Sequence, residues 1–337
     1  MSVSDKQLRN VGVNIDRLVT VEARISDLSR GVIAHLYEAA CAAQGGGPLC
    51  MLAAQKILAT LSAGQVFFVT TGAGDPDFLP AGETDGPPGV AALAMAIHAA
   101  TGAIPVLLTE AEYVANLEAT ALACGLGLRS AERLSRIPFS TCVLPLAAGE
   151  AADQQAVEYI ARFSPAMMIS IEKLGPNPDG IACSSTGTPT TMLRGRAECL
   201  FDAAARLGIP TIGIGDNGNE IGFGLILDAV RTHKPNGDRL GTRVATDVLV
   251  PANTSNWGAY AVEAALAILM GRPELMHDAE IERRMLEACV AANGVDGSTG
   301  RHVMAVDGMA DTMQYAIVTM LGGIVRNGMI SAFKRGF

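Results

Sequence analysis

Short apolar runs recur through the middle of the chain, at 66–70, 104–108, 137–146, 166–171 and 209–214, with a further short run at 247–250. Runs of this kind lack the alternation of a sheet with one wet face. They read as strands buried on both sides. Segments of helical pattern stand between them, at 88–101, 110–125, 152–163, 193–207 and 220–232, and a nearly all-apolar helix is expected over 259–270. Strands alternating with helices predict an α/β fold: a mostly parallel sheet with helices on both faces, Rossmann-like in layout.

Around this 65–270 core the sequence places a helical lead-in over 1–64 and C-terminal helices over 271–337. No internal repeat or linker divides the chain, so one domain is expected over 1–337. Apolar residues make up 49% of the chain and charged residues 18%, a globular rather than disordered balance. A formal charge of −9 leaves no basic stripe to neutralise phosphates, which excludes a nucleic-acid partner. The apolar helices near 258–270 and 315–325 are too short to span a bilayer, so no membrane partner is expected. The seven cysteines show no CxxC spacing and mostly sit in apolar segments, as small hydrophobes in a reducing compartment do. Residues 1–30 have no signal-peptide core, and the expected location is cytoplasmic.

Function is carried by the loops at the strand ends. The runs at 66–70, 166–171, 209–214 and 247–250 each open into a loop rich in Gly, Asn and acids. In open parallel sheets ligands bind beyond the carboxyl ends of the strands. If these four are parallel neighbours, Asp85, Glu172, Asp216 and Asn256 converge on one crevice. The densest loop is Gly215-Asp216-Asn217-Gly218-Asn219-Glu220-Ile221-Gly222. The constellation is Glu83, Asp85, Glu172, Asp179, Asp216, Asn219 and Glu220. Clustered carboxylates need a cation, a protonated member or a cationic substrate group. Oxygen ligands of this type suit Mg²⁺ or Mn²⁺. Asp85 before Pro87 and Asn219 before the 220–232 segment also read as helix caps. The Ser/Thr/Gly-rich stretch 181–191 reads as a mobile loop.

Other chemistries fit less well. Gly213-x-Gly215-x-x-Gly218 matches a dinucleotide fingerprint, but Asp216 and Asn219-Glu220 stand where a pyrophosphate would approach, and no nucleotide cofactor is expected. There is no phosphate-binding P-loop and no GxSxG elbow. His and Cys do not cluster as zinc ligands do. His98 reads as a packed core residue, and His302 stands near Asp296 and Asp307 in sequence.

The motifs taken together carry a resemblance. Glu83-Thr84-Asp85-Gly86-Pro87-Pro88-Gly89, Ile171-Glu172-Lys173-x-Gly175, Arg194-Gly195, the 215–224 loop, Ser255-Asn256-Trp257-Gly258 and Val295-Asp296-Gly297-x-Thr299-Gly300 occur in this order. The chain resembles the D-glutamate cyclase-like family, specifically the C-terminal catalytic domain of the larger eukaryotic proteins, over about 20–325. No counterpart of their N-terminal domain is expected here. The resemblance implies a hydro-lyase that reversibly dehydrates D-glutamate to 5-oxo-D-proline, or a related lactam-forming or lactam-opening reaction. It implies Asp216 and Glu220 as base or metal ligand with Asp85 and Glu172 as partners, the candidate metal ligands being Asp85, Glu172 and Asp216. Asn219, Asn256, Asn217, Thr71 and Ser255 would bind substrate, and Lys173 or Arg194 would pair with its α-carboxylate. The implied partner is a small amino acid or lactam, with a homo-oligomer left open. The sequence departs from the family at Asn217, where Gly is usual, at Lys173-Leu174 in place of Arg-Pro, and at Thr190-Thr191-Met192-Leu193 before Arg194-Gly195. Asn217 is expected to keep the loop backbone and add a side chain to the site. Readings that stay open are a hydrolase of another small cyclic amide, an NAD-type oxidoreductase and a non-catalytic small-molecule binding protein.

Overall fold

A computed structural model describes residues 5–73, 75, 77–191 and 194–330. The expectations that fall on residues 1–4, Gly74, Met192, Leu193 and 331–337 lie outside these. The lead-in is helical, with α1 (Asp5–Val19), α2 (Ile33–Ala43) and α3 (Leu49–Thr60). Next come β1 (Val66–Gly72), α4 (Pro87–Thr101), β2 (Ile104–Glu110), α5 (Val114–Cys124), β3 (Gly127–Leu128), β4 (Ser140–Leu146), α6 (Ala151–Phe163), β5 (Met167–Lys173), α7 (Glu198–Leu207), β6 (Thr211–Gly215), α8 (Leu227–His233), α9 (Gly237–Leu240) and β7 (Val248–Pro251). The chain ends in α10 (Ser255–Met270), α11 (Ala279–Ala291), a small hairpin of β8 (Ala305–Val306) and β9 (Met309–Ala310), and α12 (Asp311–Gly328).

Strands β1 to β7 form one sheet in the order β3-β4-β2-β1-β5-β6-β7, and each pairing is parallel. The double-sided burial read from the apolar runs comes from the helices on both faces. Phe67 and Val69 enter the larger core beneath α4 and α10, while Phe68 between them enters the smaller core under α6 and α7. From β1 the chain winds outward through β2 and β4, then returns across β1 to lay down β5, β6 and β7. This reversal makes a crevice at the carboxyl ends of β1 and β5, where ligands bind in open α/β sheets. The four strands with polar loops are the contiguous half β1-β5-β6-β7.

Several local expectations shift. The strand expected over 137–146 begins at Ser140, because Ala131–Arg136 is a 3-10 turn and Phe139 has a left-handed φ of 56°. Glu110 ends β2 instead of opening a helix, and α5 begins only at Val114 after a 3-10 turn. The helix expected over 193–207 starts at Glu198. The 220–232 segment is irregular until the 3-10 turn Gly224–Ile226, so Asn219 caps nothing; its amide donates to the carbonyl of Cys183 at 2.9 Å. The 181–191 stretch is a bonded turn, with Ser184 N–H to Thr188 O at 2.8 Å and Thr190 N–H to Ala182 O at 2.7 Å. His98 is satisfied on both ring nitrogens, by Ala103 O and Phe139 N–H, at 2.8 and 2.9 Å.

Candidate active site

The loop after β1 and the start of α10 hold one another. The Asp85 carboxylate accepts from Ser255 N–H at 2.9 Å and Asn256 N–H at 2.8 Å, the first turn of α10. In return Asn256 Oδ1 accepts from Gly86 and Gly89 N–H at 2.9 and 2.8 Å, the first turn of α4. Asn256 Nδ2 donates to Thr84 O at 2.9 Å. Each side chain thus satisfies orphan donors of the other's helix. A Cβ on Gly86 would stand 2.4 Å from Thr71 Oγ1, so this junction admits no side chain there. Both functional groups of Asn256 are spent on architecture, and the side chain is fully buried.

Glu172 sits one residue before the end of β5, at a register shift against β1, with a left-handed φ of 51°. Such a conformation costs a non-glycine residue about 1–3 kcal/mol. A bulge re-aims a side chain out of the alternating pleat, and Glu172 lines the cavity at the crevice. Ser255 Oγ donates a short hydrogen bond to its Oε2.

The 215–224 loop is ordered by Glu220. Its Oε1 accepts from Asn217 N–H at 2.9 Å and Asp216 N–H at 3.4 Å, and its Oε2 from Gly218 N–H at 2.8 Å. The backbone donors that would cradle a phosphate in a dinucleotide-binding loop therefore hold a carboxylate of the same loop. Asn217 is absent from the left-handed residues, whereas Gly218 has φ of 93°. Its side chain does enter the site: Nδ2 donates to Asp216 Oδ1 and Oδ1 accepts from Lys234 Nζ at 2.5 Å.

The cavity measures about 510 Å³. Glu83, Glu172, Asn217, Asn219 and Asp307 line it, together with Ser184, Ser185, Thr186, Thr188 and Thr190. Gly297 opens room for Glu83, whose Oε2 would lie 1.9 Å from a Cβ placed there. A small space of about 10 Å³ behind the acids is bounded by Thr71, Glu83 and Asp85. Thr71 Oγ1 is buried there with no partner among the described residues.

Two cations expected at the substrate stand elsewhere. Lys173 is fully buried, bonded to Glu110 through a short contact and to Gly72 O at 3.3 Å. Arg194 donates to Glu198 Oε2 at 3.2 Å and Leu174 O at 2.8 Å. Neither lines the cavity. The cation that does is Arg24, on the strap between α1 and α2. Its Nη1 donates to Asp216 Oδ2 at 2.8 Å and, through a short contact, to Asp307 Oδ2. Asp179 lies in an exposed turn and His302 is exposed; neither lines the cavity.

Burial first, and then mutual repulsion, dominates the electrostatics. Glu83, facing Asp307 and Asp85, and Glu172, facing Asp216 and Glu220, are held well above the usual carboxylate range. Burial also raises Asp216 well above that range, although Arg24 pulls it down. Asp85 is pushed up to about 7, by burial and then by Asp307. Burial works against the Arg24 charge, but Asp216 and Asp307 outweigh it and raise its pKa. Lys234 falls to about 8, by burial and then by Arg24.

Two carboxylate triads have oxygens within 4.8 Å of one another: Asp85, Asp216 and Asp307, and Glu172, Asp216 and Glu220. Their donor chemistry fits a hard divalent cation. Asp307 and Arg24 are site residues that the sequence reading does not pick out. Asp307 does carry a signal: Val306-Asp307-Gly308-Met309 is a two-residue hairpin pattern, and Asp307 and Gly308 have φ of 52° and 77°. A lone Arg in the polar 20–32 segment carries no such signal.

The model of the family described as D-glutamate cyclase-like, C-terminal, matches residues 39–322. The chain belongs to the D-glutamate cyclase-like family. A curated human (Homo sapiens) relative named "D-glutamate cyclase, mitochondrial" is 30% identical over 232 residues, 66% of this chain. The chain spans 36% of that protein's length. The cyclase-like match includes every acid of the site but begins after Arg24. Among the described residues no helix is long and apolar enough to cross a membrane.

Proposed function

We propose that the crevice carries out the reversible dehydration of D-glutamate to 5-oxo-D-proline, a hydro-lyase reaction. The observation that carries this reading is Glu172: a buried carboxyl with raised pKa, on a strained bulge, at the switch point of a cyclase-like fold. Closing the ring requires the neutral α-amine to attack the γ-carboxyl carbon. A C–N bond forms, a C–O bond breaks, the nitrogen gives up a proton, and the departing oxygen takes one and leaves as water. Glu172 and Glu83, whose proton affinity burial and the neighbouring carboxylates raise, supply the acid for the leaving oxygen. The ionised member of the cluster receives the amine proton, and Asn217 and Asn219 orient the ligand. The hydroxyls of the 184–190 wall receive its carboxylate. Glu220 shapes the loop instead of reacting. The reverse reaction is water attack on the lactam.

A divalent ion, Mg²⁺ or Mn²⁺, would be held by Asp85, Asp216 and Asp307 and would polarise the carboxyl as a Lewis acid. A cytosolic location is proposed on the seven free cysteines, although the human relative's name places that protein in mitochondria.

The test is Glu172→Gln with D-glutamate and 5-oxo-D-proline followed by NMR. Loss of a positioned general acid lowers turnover roughly 100- to 10,000-fold, with the circular dichroism spectrum unchanged. Wild-type turnover by this variant would sink the assignment. A wild-type protein inert toward both compounds would remove the substrate. Ring opening of a different cyclic amide would then favour the related hydrolase.

A further inference from the structure

The strap joining α1 to α2, residues 20–32, reaches the centre of the acidic cluster from outside the matched family residues. Its Arg24 is 7% exposed at the side chain, and every part of the guanidinium is engaged. Nε donates to Ser29 Oγ at 3.2 Å, Nη1 to Asp216 and Asp307, and Nη2 to Asn217 Oδ1 at 3.4 Å. The two aspartates are also two of the three members of a triad whose oxygens lie within 4.8 Å of one another. A small divalent ion sits roughly 2.0–2.2 Å from oxygen ligands. An ion shared by these carboxylates would overlap the place Nη1 already holds, and the two positive charges would repel. A second feature also points to a cation. Asn219 Oδ1, on a cavity-lining residue, is buried and has no partner among the described residues, so it is a neutral acceptor left over.

Apolar burial pins the strap at its end, where Val32 enters the core, and at Ala23, which packs against the core, but not along its outer face. Ile25 is 85% and Val21 51% exposed. Ala23 N–H also donates to Asn253 Oδ1 at 3.3 Å.

We propose that Arg24 is the built-in counter-cation of the site, a positioning residue that holds Asp216 and Asp307 together and excludes a divalent ion until the strap lifts. Strap and ion are then alternative occupants of one set of carboxylates. The strap gates which charge state of the cavity a ligand meets.

The inference goes beyond the ring-closure reading and is tested without substrate, so either can fail alone. Mn²⁺ alone is titrated into full-length wild type, Arg24→Gln and Arg24→Lys, with free Mn²⁺ read by electron paramagnetic resonance. Thermal melts check folding. Removing the internal cation leaves buried acids unpaired, so Arg24→Gln should bind Mn²⁺ tighter by about tenfold or more. Arg24→Lys, which keeps the charge, should stay near wild type. Equal affinity in wild type and Arg24→Gln, no binding by Arg24→Gln, or Arg24→Lys behaving like Arg24→Gln would each overturn the proposal. Should Arg24→Gln fail to fold, the wild-type protein still answers. Hydrogen exchange over 20–32 should rise at saturating Mn²⁺, and unchanged protection with the ion bound would overturn it.

Discussion

Two neighbouring acids of the 215–224 loop do different work. Asp216 is bonded to Arg24 and Asn217 and belongs to both carboxylate triads. Glu220 is fully buried and takes backbone donors through both oxygens. An amide has one acceptor atom, so Glu220→Gln sets a donor against a donor in either orientation. Replacing Glu220 by Gln should therefore cost about 2 kcal/mol of unfolding free energy, the scale of hydrogen bonds to a charged group. Asp216→Asn should instead leave the melting curve nearer to wild type while lowering turnover by about 100-fold or more. Denaturant unfolding and steady-state turnover, measured on both variants, separate the roles. The assignment fails if Asp216→Asn is the less stable and Glu220→Gln the less active. A sequence places both acids in a Gly-rich loop but does not say which one faces inward to its own backbone. That is decided by the tight return of the chain through Gly218.

Among elements, α4 and α10 are coupled by exchanged caps. Truncating Asn256 to Ala leaves the first-turn donors of α4 and the Thr84 carbonyl unpaired in a buried junction. The expected loss is about 2 kcal/mol, at the upper end for an N-cap, read as a lower denaturation midpoint. A loss within error of Ala substitutions at exposed sites would show that the caps are not coupled in this way. The same pair marks what the sequence can and cannot tell. The strands are legible because doubly buried runs such as 166–171 are apolar but for Ser170, and the polar loops after β1, β5, β6 and β7 point to one edge of the sheet. The start of α10 is expected at 259 and stands at Ser255. Thr254 caps it locally, its hydroxyl accepting from Trp257 N–H at 3.4 Å. The acceptors for Ser255 and Asn256 N–H, however, come from Asp85, distant in sequence, and local propensity carries no record of that part. Lys173 and Arg194 stand away from the cavity lining for a related reason. Each is adjacent in sequence to the site, but each is paired beneath it with an acid, Glu110 or Glu198, and the pairing depends on how the chain folds around it.

At the scale of the whole molecule, both ends of the chain close the same cavity. Arg24 from the lead-in meets Asp307 from the terminal hairpin. The C-terminal helices are in turn fixed to α10, whose first turn holds Asp85. Trp257 Nε1 donates to Gln314 Oε1 of α12 at 2.7 Å, and Tyr260 OH to Glu282 Oε2 of α11 at 2.7 Å. Between α10 and α11 the buried His277 bonds Glu263 through Nδ1 at 2.7 Å and lies 3.4 Å from Glu282 through Nε2. Burial opposes its charge, but Glu263 and Glu282 prevail and raise its pKa to about 10. A histidine with a raised folded-state pKa stabilises fully below its ordinary value, near 6.5, and loses that contribution as pH rises through about 10. Lys234 acts in the opposite sense, since its lowered pKa of about 8 makes the folded state easier to hold as pH rises from there. The difference between wild type and His277→Gln isolates the histidine. The stability gap in denaturant unfolding should be widest at about pH 6 to 7 and close toward about pH 10, whereas a gap constant across that window would mean that His277 packs without its charge. Because α10 also carries the cap of the crevice, loss of this pairing at high pH should loosen Asp85 together with the C-terminal helices. Hydrogen exchange at Ser255 and Asn256 should then rise in parallel with exchange in α11.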